Sequence, residues 1–280
     1  MKIKFTKMQG LGNDFVVLDY EEYEKSGLEL SELALKLCDR HFGIGADGLM
    51  VVNPFVKDTD TGWLFYNSDG TTAQMCGNGI RCFARYMKQK GYMAKNEFSI
   101  ETLAGTIIPK INEDNTVTVN MNKPITEPAR IPLKSENNLN FEILAKGKKF
   151  VANAISMGNP HCVIFTDEDT VKAALTYGSE IETNSMFPEK TNVEFIKILS
   201  RSEINLNVWE RGCGITLACG TGACASVVAG ILNGYLDEKV KVNLPGGQLV
   251  IEWKGNKDDL NHNVYMTWPA TFVFEGEIEV

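Results

Sequence analysis

Three histidines in 280 residues, no long apolar run and no surplus of positive charge are the first constraints on this chain. His41, His161 and His262 are the only imidazoles, and the cysteines are spaced Cys76-x5-Cys82 and Cys213-x5-Cys219-x4-Cys224. Neither spacing is a common zinc or iron–sulfur pattern, so no metal is expected. Twenty-eight basic against 36 acidic side chains give a net charge of −8, which argues against nucleic acid or an anionic membrane as partner. The N-terminal stretch carries Lys2, Lys4 and Lys7 but no continuous apolar segment, so no signal peptide is expected. The longest apolar stretch, 222–236, is too short and too interrupted to cross a bilayer. Low-complexity tracts and long linkers are absent as well. Seven cysteines is an odd number in a chain too long to need disulfide staples, which reads as reduced thiols in the cytoplasm.

What is present is a pattern that occurs twice. Residues 75–79 read Met-Cys-Gly-Asn-Gly and residues 218–222 read Ala-Cys-Gly-Thr-Gly. Asn67 and Glu210 each stand nine residues before their cysteine, in Tyr66-Asn67 and Trp209-Glu210. Asn13, in Gly12-Asn13, precedes Cys76 by 63 residues, and Asn159, in Gly158-Asn159, precedes Cys219 by 60. One such landmark is ordinary for glycine-rich turns; three in register argue for a duplicated domain. The length suits two medium domains, with borders expected at 1–121 plus 270–280 and at 122–269.

Short strands dominate a coarse reading: 2–6, 15–20, 63–66, several within 98–121, then 151–154, 162–165, 193–199, 206–209, 240–242, 249–253, 264–268 and a half-buried tail at 271–280. Residues 28–42 have the spacing of a surface helix. The Pro- and Asn-rich residues 122–140 mark a crossover. The segments after the two cysteines differ from surface helices, because 222–236 is apolar nearly all round and 79–88 mostly so; such helices are buried. The expected fold class is α+β: two pseudo-symmetric domains, each a curved, antiparallel-rich sheet or barrel around a central helix, with the active site in the cleft between them.

Two matched thiols suit chemistry that needs the same group on both faces of one carbon, as inversion of a stereocentre by proton transfer does. A helix N-terminus favours thiolate, and it lies at both Cys76 and Cys219. The backbone N–H groups of Gly77, Asn78, Gly220 and Thr221 are unpaired donors there, suited to a carboxylate whose charge grows as the α-proton leaves. One thiol must be ionised and the other protonated, so the two should titrate as a pair. The plainer reading of each cysteine alone is a buried structural thiol, and it is retained for Cys38, Cys82, Cys162, Cys213 and Cys224. His161 stands beside a landmark, although lone histidines are more often structural. Arg211 suits bidentate carboxylate recognition. The amides of Asn13, Asn67, Asn78, Asn159 and Asn192 suit a zwitterion or ordinary turns.

Together Gly10-Leu-Gly-Asn-Asp-Phe15, Asn67-Ser-Asp-Gly70, Gln74-Met-Cys-Gly-Asn-Gly-Ile-Arg-Cys-Phe-Ala-Arg85, Met157-Gly-Asn-Pro-His161, Glu210-Arg-Gly212 and Leu217-Ala-Cys-Gly-Thr-Gly-Ala-Cys-Ala225 resemble the diaminopimelate epimerase family over nearly the whole chain. The resemblance implies interconversion of LL- and meso-2,6-diaminopimelate, on the route to lysine and peptidoglycan precursors, without pyridoxal phosphate, metal or nucleotide. It implies that Cys76 and Cys219 are the acid/base pair and that Gly77, Asn78, Gly220 and Thr221 bind the reacting carboxylate. Asn13, Asn67, Asn159, Asn192 and Arg211 would hold the substrate, including its distal amino-acid end. Glu210 would touch substrate and, with His161, tune the thiols. A homodimer is implied by the same analogy. Gly48 departs from the pattern, since some members carry glutamine there.

Three rivals stand beside this reading, one of them a pyridoxal-dependent enzyme, for which no lysine stands in a context that singles it out. A proline or hydroxyproline racemase would use the same thiol pair but need no second amino-acid anchor, and Arg211 with the asparagines argues for the longer substrate. A thiol redox protein would join Cys76 and Cys219 in a disulfide.

Overall fold

The computed structural model describes residues 1–73 and 76–280; Gln74 and Met75, which precede the first cysteine, lie outside the described residues. The chain divides into two units, Met1–Val119 with Trp268–Val280, and Asn120–Thr267.

The first unit opens with an antiparallel hairpin of β1 (Lys2–Gly10) and β2 (Asn13–Leu18). Its two-residue turn, Leu11-Gly12, has φ of 55° and 84°. Two successive left-handed residues match the right-handed twist of the strands they join, and this turn fixes Asn13 as the first residue of β2. Helices α1 (Tyr20–Ser26) and α2 (Leu30–Cys38) follow. The second is shorter than the surface helix expected over 28–42, and it is half-buried: Leu33, Ala34, Leu37 and Cys38 join a core with Ile3, Val16, Leu18, Leu49 and Val51. It stops at Asp39, whose carboxylate accepts the N–H groups of His41 and Phe42 and turns the chain. Then come β3 (Gly48–Asn53), β4 (Thr61–Asn67), helix α3 (Gly77–Gln89), β5 (Ile100–Thr102), β6 (Gly105–Ile107) and the small hairpin of β7 (Lys110–Ile111) and β8 (Val117–Asn120). Along β1 to β6 the pairings alternate: antiparallel, parallel, antiparallel, parallel, antiparallel.

The second unit repeats this alternation. After β9 (Phe141–Ala145) come β10 (Lys148–Ser156), β11 (Pro160–Phe165), helix α4 (Thr170–Glu182), β12 (Asn192–Ser200), β13 (Glu203–Glu210), the two-residue β14 (Gly214–Ile215), helix α5 (Gly220–Leu232), β15 (Lys239–Leu244), β16 (Gly247–Glu252) and β17 (Tyr265–Trp268). From β10 to β16, leaving aside β14, which pairs only with β13, the order is again antiparallel, parallel, antiparallel, parallel, antiparallel. One helical connection falls at each parallel step: α1–α2 and α3 in the first unit, α4 and α5 in the second. The chain then returns to the first unit as β18 (Thr271–Glu279), which pairs antiparallel with β1.

The helices after the cysteines begin two residues earlier than the sequence reading puts them. Helix α5 packs on β10, β11 and β12, and α3 on β1 and β2. In α5, ten of the residues from Gly222 to Leu232 are buried, as all-round apolarity requires. The face of β11 and β12 turned to α4 is apolar, with Cys162, Ile164, Val193 and Phe195 packed on Ala173, Ala174 and Ile181. Strand alternation therefore sends His161, Asn192 and Glu194 to the opposite face.

Helix α4 approaches β13 closely because position 178 has no side chain. A Cβ on Gly178 would stand 2.5 Å from Trp209 Cβ and 2.7 Å from its Cγ, and that indole is tied to Glu182 by a 2.7 Å hydrogen bond. Gly178→Ala should therefore lower stability in urea unfolding by about 1–3 kcal/mol, although alanine is the better helix former. An unchanged midpoint would mean that the indole can retreat.

Candidate active site

Cys76 and Cys219 have the same local structure. Each is the N-cap of its helix with an extended backbone, φ −141° and ψ 115° at Cys76, φ −122° and ψ 108° at Cys219. Each Sγ accepts the N–H of the residue three positions on, Gly79 or Gly222, at 3.4 Å. The sulfur thus takes the place that serine or aspartate oxygen holds in ordinary caps. The first helical hydrogen bonds run from Ile80 N–H to Cys76 O (2.8 Å) and from Ala223 N–H to Cys219 O (3.0 Å). By helix geometry the N–H groups of Gly77, Asn78, Gly220 and Thr221 have no intrahelical acceptor.

Around Cys76 the structure gathers two of the expected asparagines and a set of charged residues that the sequence reading does not assign to the site. The thiol donates to Asn13 Oδ1 at 3.5 Å, and Asn78 Nδ2 donates to the same oxygen at 3.0 Å. Asn13 Nδ2 donates to Asp47 at 2.6 Å. Asp47 and Asp14 are bridged by Arg40, at 2.7 and 2.8 Å, and Asp14 also meets Lys7 at 2.6 Å. Burial alone would raise Asp14, but Arg40 and Lys7 outweigh it and hold its pKa at about 2. Arg81 is fully buried, binds Gly77 O and Asn78 Oδ1 (2.9 Å), and lies flat on Trp268 with its guanidinium carbon 3.2 Å from the ring centroid. Its Nε has no partner among the described residues, and burial pulls its pKa down to about 9, so it stays charged at neutral pH.

Asn67 closes β4 and donates to Thr71 at 2.9 Å, pinning the turn that follows; Gly48 is its strand partner. A Cβ at Gly48 would lie 2.7 Å from the Phe65 ring and 2.8 Å from Tyr66 O, so this backbone has no room for a side chain there.

Around Cys219 the surroundings are acidic. His161 is fully buried, with Nε2 3.0 Å from Asn159 Oδ1 and Nδ1 2.7 Å from Glu194 Oε1. One nitrogen, oxygen or sulfur from each of His161, Glu194 and Cys219 falls within a 4.8 Å spread. The imidazole Nδ1 is already engaged by the carboxylate, so the trio is an acid–base cluster rather than a set of free metal donors. Thr221 Oγ1 is 3.6 Å from Cys219 Sγ. Glu210 ends β13 and accepts from Thr216. Asn192 is nearly buried; Nδ2 donates to Pro160 O (2.9 Å) and Oδ1 accepts from Arg211 N–H (3.0 Å). Arg211 is exposed and caps Glu189 O at 3.0 Å.

Both thiols run against the simple helix-terminus argument. Burial raises Cys76, opposed by the Gly79 N–H, Arg81 and the Asn78 N–H. Burial raises Cys219 further, joined by Glu210 and Glu194, and Thr221 and Gly222 oppose it only in part. The helix ends moderate this desolvation; they do not overcome it.

Glu194 is a fully buried carboxylate beside this cluster that the sequence reading does not single out. Its signal is present: a carboxylate in Val193-Glu-Phe-Ile196, inside a strand buried on both faces, requires a partner.

A family model described as diaminopimelate epimerase matches residues 5–127 and 153–273. The diaminopimelate epimerase of Carboxydothermus hydrogenoformans is 51% identical over 281 residues, covering 98% of this chain and 99% of that protein. That of Halothermothrix orenii is 47% identical over 289 residues, covering 100% and 99%. Among solved structures, a phenazine biosynthesis protein of the PhzF family from Bacillus anthracis superposes over 100% of both chains with a TM-score of 0.70 at 12% identity, a likeness of fold alone. Family matches that fall on both halves of a repeated topology, with relatives about half identical from end to end, make this chain an isomerase that belongs to the diaminopimelate epimerase family.

Proposed function

We propose that the chain interconverts LL- and meso-2,6-diaminopimelate by a two-thiol proton transfer that needs no cofactor, and so serves lysine and peptidoglycan-precursor synthesis. The observation that carries this reading is the identical N-cap geometry of Cys76 and Cys219. In one direction a thiolate takes the α-proton, the C–H electron pair stays on the α-carbon, and the other thiol delivers its proton to the opposite face. The two sulfurs exchange protonation states in each turnover. The N–H groups of Gly77, Asn78, Gly220 and Thr221 bind the reacting α-carboxylate and strengthen their hold as charge builds.

Asn13 serves the substrate and steadies Cys76, to which it is already hydrogen-bonded. Asn159 is held by His161, and Asn192 holds the backbone at Arg211. Those two asparagines hold the substrate with Asn13, Asn67 and Arg211, including its distal amino-acid end, and Glu210 touches it. His161 and Glu210 tune the thiols. All seven cysteines are unpaired, which supports a reducing, cytoplasmic setting. No helix among the described residues is long and apolar enough to cross a membrane. A homodimer rests on family resemblance alone.

Either Cys76→Ala or Cys219→Ala should slow epimerisation at least roughly 10²-fold, the low end for a positioned acid or base. A near-native rate in either variant removes the two-thiol mechanism. Arg211→Ala should act mainly on KM, through loss of a carboxylate anchor. An unchanged KM would take Arg211 out of substrate binding. Proton NMR in D₂O with LL-diaminopimelate, beside a sample with L-proline, tests substrate and reaction together. Deuterium should enter one α-position as the meso isomer appears, with proline untouched; exchange on proline alone would keep the chemistry and change the substrate.

A further inference from the structure

Glu194 has no part in the reaction as described above, yet it is a fully buried carboxylate on the sheet face that carries His161. Its Oε1 is 2.6 Å, and Cys219 Sγ 3.2 Å, from the point where a Cβ on Gly222 would stand. Carboxylate and sulfur therefore press on the same residue at the start of α5. Its Oε2 has no hydrogen-bond partner among the described residues.

An imidazole beside a buried thiol ordinarily takes the thiol's proton, and the imidazolium–thiolate pair that results lowers the cysteine pKa. Here that cation is countered. His161 Nε2 faces the acceptor Asn159 Oδ1 and so carries one proton, and Nδ1 and Glu194 Oε1 share a second across 2.7 Å. Imidazolium with carboxylate, or imidazole with carboxylic acid, is neutral as a unit wherever the shared proton sits. Among the described residues, the groups that act most strongly on this cluster are acidic or neutral. Glu210 acts on Cys219 and Glu194 from β13, and Cys162 neighbours Glu194 from β11. Thr221 and the Gly222 N–H, on α5 itself, face Cys219 as neutral donors. Cys76 differs in having a cation nearby: the buried Arg81 guanidinium and the N–H groups of Asn78 and Gly79 oppose its burial, and Asp47 alone adds to it.

We propose that Glu194 is a positioning residue of the epimerase reaction: by holding His161 and cancelling its charge, it keeps the proton on Cys219 in the resting enzyme, which leaves the thiolate role at rest to Cys76. This rests on the two-thiol reading above. Glu194 does not touch substrate; it acts through His161 on the thiol.

The test is the pH dependence of iodoacetamide alkylation of the full-length protein, followed separately at Cys76 and Cys219 by peptide mass spectrometry. In the unmodified sequence the Cys219 midpoint should lie above that of Cys76. Glu194→Gln keeps the shape and a hydrogen bond to Nδ1 but removes the charge. His161 is then free to pair as imidazolium with the thiolate, and the Cys219 midpoint should fall by about one pH unit or more, the scale of a close opposite charge. The Cys76 midpoint should not fall with it; through its coupling to Cys219 it should stay or rise. Adding His161→Gln to Glu194→Gln should restore the high midpoint, because the fall requires the imidazole.

A folded Glu194→Gln protein with an unmoved Cys219 midpoint, or a fall that persists in the double variant, overturns the proposal. If Glu194→Gln does not fold, His161→Gln alone decides: the Cys219 midpoint should stay or rise, and a fall overturns the proposal. Failure of the two-thiol reading would show itself elsewhere, as near-native turnover in a single cysteine variant.

Discussion

A sulfur atom accepting the third backbone N–H of a helix is the interaction on which each unit's chemistry depends. It fixes the thiol at the point where the helix leaves donors without acceptors, so the thiol and those free N–H groups are set by one backbone geometry. The cap also explains the glycines. At Gly79 an added Cβ would stand 3.2 Å from the Trp63 ring, and at Gly222 it would meet Glu194 at 2.6 Å. A side chain at either place would push on the residues that hold the sulfur. Because α3 and α5 are buried along most of their length, the caps cannot drift without moving the cores beneath them.

The two copies of this device then diverge in electrostatics. The first is set among neutral amides and Asp47 with a buried guanidinium beneath, the second between two carboxylates, one of them paired with an imidazole. On the proposed two-thiol mechanism, a symmetric pair would have no preferred resting state, whereas unequal charge gives the pair a preferred place for its proton.

The repeat, the cysteine pair and the buried character of the following helices were legible in the sequence because each is local: a motif within five residues and an apolar run of a dozen. The strand alternation was legible for the same reason. What was not legible depends on pairing across the chain. Glu194 reaches His161 only because β11 and β12 run parallel, with His161 opposite Asn192 and Glu194 two residues on. Arg81 reads as a polar position on an amphipathic helix, and its burial follows from Trp268, which arrives from the far end of the chain. Helix α4 carries Thr170, Thr176, Tyr177 and Gly178, which blur its pattern; its one clear local signal is Asp169, whose carboxylate caps the Lys172 N–H at 2.9 Å. The thiols show the same limit from another side. Helix ends can be read from sequence, but the desolvation that outweighs them is set by the packed fold.

The return of β18 to β1 bears on the order in which the polypeptide matures. The second unit is one uninterrupted segment, Asn120–Thr267, whereas the first needs residues 268–280 to finish its sheet. During synthesis one edge of β1, which pairs on its other side with β2, stays open until residues 271–279 have been made, after every residue of the second unit. The usual N-to-C order of domain completion is thereby inverted. The earlier-made half must wait, with its edge strand exposed, for the last dozen residues to arrive.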